Sequence, residues 1–151
     1  MTRNNHLNIR LAILADSETL AALLGELGYP NTNAFAEEKL KQLAKREDDR
    51  VFVAEDEGEA VGFASCHIIP LIHEEHNLCR VTALVVASDH RRRKIGRRLM
   101  NAVEEYAQKY GCGRVEITSG ERRQDAHSFY EHIGYGEVSR RFLKTLEWKE
   151  P

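Results

Sequence analysis

Cysteine is scarce in this chain, and the scarcity excludes two structural classes. The 151 residues hold three cysteines, Cys66, Cys79 and Cys112, an odd number with no CxxC pair. That spacing excludes a disulfide framework and a cysteine zinc site, so reduced thiols in a cytoplasmic protein are expected. No apolar run approaches the roughly 20 residues of a membrane span. Met1–His6 has none of the apolar core of a signal peptide, and no membrane partner is expected. Neither sign of charge dominates, since 22 Lys and Arg face 24 Asp and Glu for a net charge of −2. A general nucleic-acid binder is basic over its whole domain, so no nucleic-acid partner is expected either. Internal repeats, linkers and low-complexity tracts are absent from the sequence. What remains is an ordinary globular balance, 42% hydrophobic and 30% charged, in a length that suits one domain spanning residues 1–151.

The positive charge that is present is concentrated. From Arg91 to Arg98 six of eight residues are cationic. The run follows an apolar stretch, Ala83–Ala87, and opens a helical pattern. A strand that ends in a basic turn and starts a helix is an anion site, because the first-turn amides lack intrahelical partners and the macrodipole adds positive charge. A diphosphate suits it. A nucleic-acid patch and a merely solvated helix start compete for the same residues. Ile95, Leu99 and Val103, with Ala102, Tyr106 and Tyr110 on adjoining rows, form an apolar stripe. One face of this helix is therefore buried, which argues against a free basic tail.

Along the chain, Ile9, Leu11 and Ile13 alternate as in a strand. Asp16 is expected to cap a helix to about Leu27, with Leu20, Leu23, Leu24 and Leu27 inward. A second helix is expected from about Asn33 to Arg46. Strands Val51–Glu55 and Ala60–Ile69 flank a hairpin signal at Asp56-Glu57-Gly58-Glu59. A polar loop, a strand Cys79–Ala87, the basic turn and the long helix to about Tyr110 follow. A strand around Val115 and Ile117, a helix from about Gln124 to Ile133 and a final strand within Val138–Leu146 complete the pattern. The order is β-α-α-β-β-β-α-β-α-β, an α/β chain with a mixed sheet.

This order and two motifs resemble the GNAT superfamily of N-acetyltransferases. Arg91-Arg92-Arg93-Lys94-Ile95-Gly96 is similar to its pyrophosphate motif, Gln/Arg-x-x-Gly-x-Gly/Ala, with Lys94 standing where glycine is usual. Ala126-His127-Ser128-Phe129-Tyr130-Glu131-His132-Ile133-Gly134-Tyr135 resembles the family's A-x-x-F/L-Y-x-x-x-G-F/Y segment. Within the superfamily, the aminoalkylphosphonate N-acetyltransferase group is similar at Arg123–Tyr130, at Arg141-Phe142-Leu143-Lys144 and around His67 and His73.

The resemblance implies the GNAT acyl-CoA N-acyltransferase fold and acetyl-CoA as co-substrate. It implies that Leu84, Val85 and Val86 carry the pantetheine arm on a strand splayed from Val115–Thr118, with the Leu84 or Val85 amide as oxyanion donor. Amides of Arg92, Arg93, Lys94, Ile95, Gly96 and Arg97 would hold the pyrophosphate, with Arg91 at the first motif position also in the cofactor set. Ser119, His127 and Phe129 complete the cofactor set, and Tyr130 is the general acid toward the leaving thiolate. Arg123, His67 and His73 are the expected acceptor-binding residues. Many relatives place a Glu just before the oxyanion position, where this chain has Ala83 with Thr82 beside it. The base is therefore open among Glu116, His67, His73 and a water chain, with an amine that arrives partly deprotonated as a further alternative. His73-Glu74-Glu75-His76 departs from the zinc signature HExxH, and no metal is expected. The expected function is transfer of the acetyl group of acetyl-CoA to the primary amine of a small molecule, directly and in a ternary complex. Acetylation of a protein lysine or N-terminus and a non-catalytic acyl-CoA-binding module are the alternatives. A homodimer is common among similar proteins.

Overall fold

A computed structural model of the chain describes residues 6–29, 31–90, 94–118, 124–138 and 141–151. They fall into two compact units, Met1–Thr118 and Ser119–Pro151.

The first unit is a five-stranded sheet in the order β1-β2-β3-β4-β5 with helices on both faces. Its strands are β1 (Leu7–Leu11), β2 (Asp49–Asp56), β3 (Glu59–Ile69), β4 (Asn77–Val86) and β5 (Cys112–Ile117). The first four pair antiparallel, and β4 pairs with β5 in parallel. Helices α1 (Ser17–Leu27) and α2 (Asn33–Ala44) join β1 to β2, and α3 (Ile95–Lys109) crosses from β4 to β5. A parallel pair requires such a crossover. The hairpin between β2 and β3 turns on Glu57 and Gly58, both with positive φ (52° and 85°), the signature of a type I′ turn.

Alternation along the strands sorts side chains between two layers. Leu20, Leu23 and Leu40 of α1 and α2 pack on Val51, Val53, Phe63 and Val85. On the opposite face lie the fully buried Ile95, Leu99, Met100 and Val103 of α3, each contributing about 1.5–3 kcal/mol through burial. Gly62, next to Phe63, faces α3. A Cβ there would lie 2.9 Å from the Val85 carbonyl oxygen and 3.4 Å from Ile95 and Leu99 side-chain atoms. The missing side chain lets the first turn of α3 sit directly on β3.

One local expectation is corrected. Asp16 precedes α1 but its side chain does not cap that helix. It accepts instead from the Ile13 amide and both terminal nitrogens of Arg10, each at 2.8 Å. A bidentate guanidinium outcompetes a cap bond for a carboxylate. Thr32 does cap α2, its Oγ1 accepting from Phe35 N at 3.1 Å.

The second unit contains α4 (Gln124–His132). The expected final strand is not formed among its described residues, since 135–138 and 141–151 carry no regular structure. Val138, Phe142, Leu143 and Leu146 are all exposed. Apolar alternation alone makes no strand, because a strand exists only through ladder bonds to a neighbour.

Candidate functional site

The middle of β4 changes partners. Its ladder to β5 runs from Asn77↔Cys112 to Val81↔Ile117 and ends there. The ladder to β3 continues through Ala83, Leu84, Val85 and Val86. Among the described residues of this unit, Thr82–Val86 therefore have a strand on one side and none on the other. The separation from β5 begins after Val81, so Val115–Ile117 are themselves paired.

Backbone polarity along that edge follows from one bond. Ala87 N donates to Val61 O at 2.8 Å, and antiparallel ladders alternate every second residue. The amides of Val85 and Ala83 thus point toward β3, while those of Leu84 and Val86 point to the open edge. Of the two candidate oxyanion donors, Leu84 has the free geometry, and the Val85 side chain lies in the core at 4% exposure. The register to β3 slips between Ser65↔Ala83 and Cys66↔Val81. Thr82 is the extra residue of that β-bulge.

The open edge leads into α3. Its N-cap, Lys94, has φ 61° and ψ 19°, the left-handed conformation. The departure from glycine at this position is thus one of side chain, not of backbone path. The Lys94 side chain makes no cap hydrogen bond, and the first turn of the helix has no acidic residue. Ile95 is buried, Gly96 half-buried and Arg97 exposed. Arg98 leaves the basic cluster, because its Nη1 donates to the Leu7 carbonyl at 2.9 Å and ties α3 to β1. Arg91, Arg92, Arg93, Ser119 and Arg123 lie outside the described residues.

Beside the edge, polar side chains of four strands share a row. Asp49 is opposite His67, His67 opposite Arg80, and Arg80 opposite Glu116. His67 Nδ1 lies 2.8 Å from Asp49 Oδ1 and Nε2 lies 2.7 Å from Thr82 Oγ1. Arg46 Nε donates to the other Asp49 oxygen. Burial pushes the Asp49 carboxyl up, but His67 and Arg46 together hold it below its usual range. Glu116 accepts from Arg80 Nη2 at 3.1 Å. His73 sits in the exposed loop before β4 with its Nε2 3.7 Å from Glu74. The bonds at both His67 nitrogens involve other residues. Among the described residues, no three His, Cys, Asp or Glu side chains gather as a metal site. Nor is any helix there long and apolar enough to cross a membrane. Asp49 was missed in the sequence, and Thr82 was noticed only as the neighbour of Ala83, with no role given to it.

In the second unit the Phe129-Tyr130-x-x-x-Gly134 spacing has a mechanical reason. Gly134 has φ 97°. Its amide donates to Glu131 O at 3.1 Å, and Tyr135 N donates to Tyr130 O at 2.9 Å. These two bonds form a Schellman cap. The cap fixes Tyr130 one turn before the end of α4, with its ring 5.3 Å from Phe129 and 6.4 Å from Tyr135. His127, Phe129 and Tyr130 are half-buried.

Residues 18–135 match the Acetyltransferase (GNAT) family. Over 110 residues the chain is 34% identical to an uncharacterized N-acetyltransferase of Methanocaldococcus jannaschii, covering 72% of this chain and 49% of that protein. Over 89 residues it is 36% identical to the aminoalkylphosphonate N-acetyltransferase of Salmonella typhimurium, covering 59% and 58%. The chain thus spans about half the length of these curated relatives. Among solved structures, an aminoglycoside N-acetyltransferase in complex with CoA superposes with a TM-score of 0.85 at 17% identity, over 97% of this chain and 98% of that one. The glucosamine-6-phosphate N-acetyltransferase from Arabidopsis thaliana gives 0.79 at 20% identity, over 93% and 99%. Likeness at such identities establishes a shared fold. Together with the match over residues 18–135, it places the chain in the GNAT family of acetyltransferases.

Proposed function

We propose that the chain transfers the acetyl group of acetyl-CoA directly to the primary amine of a small molecule in a ternary complex. The observation that carries this reading is the open β4 edge, Thr82–Val86, followed in the chain by the start of α3, where the N-cap side chain makes no cap bond. An extended pantetheine arm fits such an edge as an added strand. Leu84 N–H then donates to the thioester carbonyl oxygen, where negative charge develops. Amides of Arg92 to Arg97, with the left-handed Lys94 among them, receive the diphosphate, and Arg91 joins the cofactor set. Ser119, His127 and Phe129 are proposed as further cofactor contacts on the family motif, and Tyr130 as the proton donor to the departing thiolate.

The proposed acceptor carries an anionic group, held by the fork of Arg123, with His73 in the same role; His67, bonded at both ring nitrogens, has no donor left for it. The name of the Salmonella relative, an aminoalkylphosphonate acetyltransferase, supports that class. A cytoplasmic setting fits the free thiols of Cys66 and Cys79, since thiols persist in reducing compartments. A homodimer is proposed on resemblance alone, and light scattering tests it.

Calorimetry with acetyl-CoA tests the central reading. Gly96→Val is expected to weaken binding at least about tenfold, because the backbone must approach the diphosphate closely. Unchanged affinity in that variant overturns the assignment. Thiol release with 2-aminoethylphosphonate and propylamine separates a transferase from a binding module. A preference for the uncharged amine removes the anionic-acceptor reading alone.

A further inference from the structure

The row across β2–β5 splits into two pairs that behave differently. Arg80 and Glu116 close on each other at 3.1 Å. Asp49 and His67 instead lead outward. The Asp49 side chain is 6% exposed and that of His67 25%, and Thr82, at the end of the chain of bonds, is exposed. A buried carboxylate, an imidazole and a surface hydroxyl thus stand in line, each 2.7–2.8 Å from the next.

We propose that Asp49, His67 and Thr82 form the relay that deprotonates the acceptor amine, with Thr82 Oγ1 as the atom that meets the ammonium. The proposal rests on the acetyl-transfer reading above and supplies the base that Ala83 does not. Asp49, ionised and gripped by Arg46, accepts Nδ1–H of His67. That bond fixes the tautomer in which the Nε2 lone pair faces Thr82. The Thr82 hydroxyl donates to Nε2, so its own lone pairs point away from His67. Its position is set by the bulge, one residue past the last β4–β5 pair and two before Leu84. The hydroxyl and the Leu84 amide therefore bracket the place where a carbonyl on the open edge would react.

The proton count closes. An ammonium R–NH3+ gives one proton to Thr82 Oγ1 as Thr82 passes its own to His67 Nε2. The freed nitrogen lone pair forms the C–N bond to the thioester carbon. The C–S bond breaks with its electron pair on sulfur. The second nitrogen proton ends on the thiol, and His67 returns the first to water. Products are the amide, CoA-SH and one proton. Asp49 is a positioning residue in this scheme.

The charged groups facing His67 are Asp49 and Arg46 on the β2 side and Arg80 and Glu116 from β4 and β5. A protonated His67 cannot accept a further proton, so the relay requires the rate to fall once His67 is protonated. The test follows thiol release from acetyl-CoA by the full chain with 2-aminoethylphosphonate, 3-aminopropionate and propylamine. His67→Gln is expected to lower kcat about 10²-fold and to abolish the acidic limb of the pH profile, with acetyl-CoA affinity unchanged. Thr82→Val is expected to lower kcat at least about tenfold and Thr82→Ser to restore it. A merely structural role would move stability and KM but leave the pH limb in place. His67→Gln with wild-type kcat and limb overturns the relay while leaving the transferase intact. An acetyl group on Thr82 found by mass spectrometry overturns it in favour of a covalent route. Wild type that binds acetyl-CoA yet acetylates none of the three amines counts against relay and transferase together.

Discussion

Replacing Lys94 with glycine is expected to stabilise the protein. A non-glycine residue in the left-handed region costs about 1–2 kcal/mol, because Cβ crowds the following carbonyl. Lys94 sits there with φ 61° and ψ 19°, and no cap bond from its side chain offsets the strain. Glycine removes the clash but returns about 0.5–1 kcal/mol to the unfolded chain as backbone entropy. The balance favours Lys94→Gly by about 0.5–1 kcal/mol, or roughly 1–4 °C in Tm for a chain of this size. Lys94→Ala is the control, since it loses the same charge yet keeps Cβ. At an ordinary right-handed helix position alanine is more stable than glycine by about 1 kcal/mol. Here the order is expected to reverse. Urea unfolding of the three proteins, read as midpoints at constant slope, decides the matter. An alanine variant as stable as the glycine variant refutes the reasoning, because strain at the start of α3 would then be absent.

Three further outcomes are expected. Gly62→Ala places a Cβ 2.9 Å from the Val85 carbonyl oxygen and should cost about 1–3 kcal/mol in chemical denaturation, since backbone must shift to make room. Arg10 holds the Asp16 carboxyl below its usual range, against burial that pushes it up. The unfolded chain therefore binds that proton first on acidification. The stabilisation is complete above the ordinary carboxylate value of about 4 and disappears as pH falls through the lower folded value. Stability of wild type should drop as pH falls below about 4, and Asp16→Asn should be less stable at pH 7 with a shallower acid slope. Tyr130→Phe should lower kcat about 10²-fold with acetyl-CoA affinity unchanged, and a rate within about threefold of wild type would assign the thiolate's proton to water.

The elements legible in the sequence were those whose cause is local. The stripe from Ile95 to Val103 read as a helix because burial selects every third or fourth residue. Gly58 and Gly134 marked a turn and a helix end, because only glycine takes such φ values without cost. Lys94 adopts the same left-handed conformation, and its own residue type gave no sign of it; only the glycine usual at its place in the resembled motif did. Asp49, His67 and Thr82 were scattered for a related reason. Their union depends on bonds between residues 18 and 15 positions apart, hence on strand register and on a bulge that no periodicity announces. The apolar residues of 138–146 erred the other way, promising a strand where the described residues pair with none.

The bulge at Thr82 acts as a phase shifter in the strand. Before it, Arg80 shares the face of His67, and after it Ala83, Val85 and Ala87 do, so even and odd positions trade places within one step. The hydroxyl beside His67 and the Val85 side chain in the core are compatible only because of that extra residue. Deleting Thr82 would make Cys66↔Val81 and Ser65↔Ala83 successive pairs of a regular ladder, with Arg80 and Val85 each on its present face. An extra residue on β3 opposite Thr82 would do the reverse, giving Thr82 a partner and setting Phe63 and Val85 on the face away from His67 and Arg80. The strand thus absorbs the loss of its odd residue in register, and it is a matching residue on β3 that would cost the core.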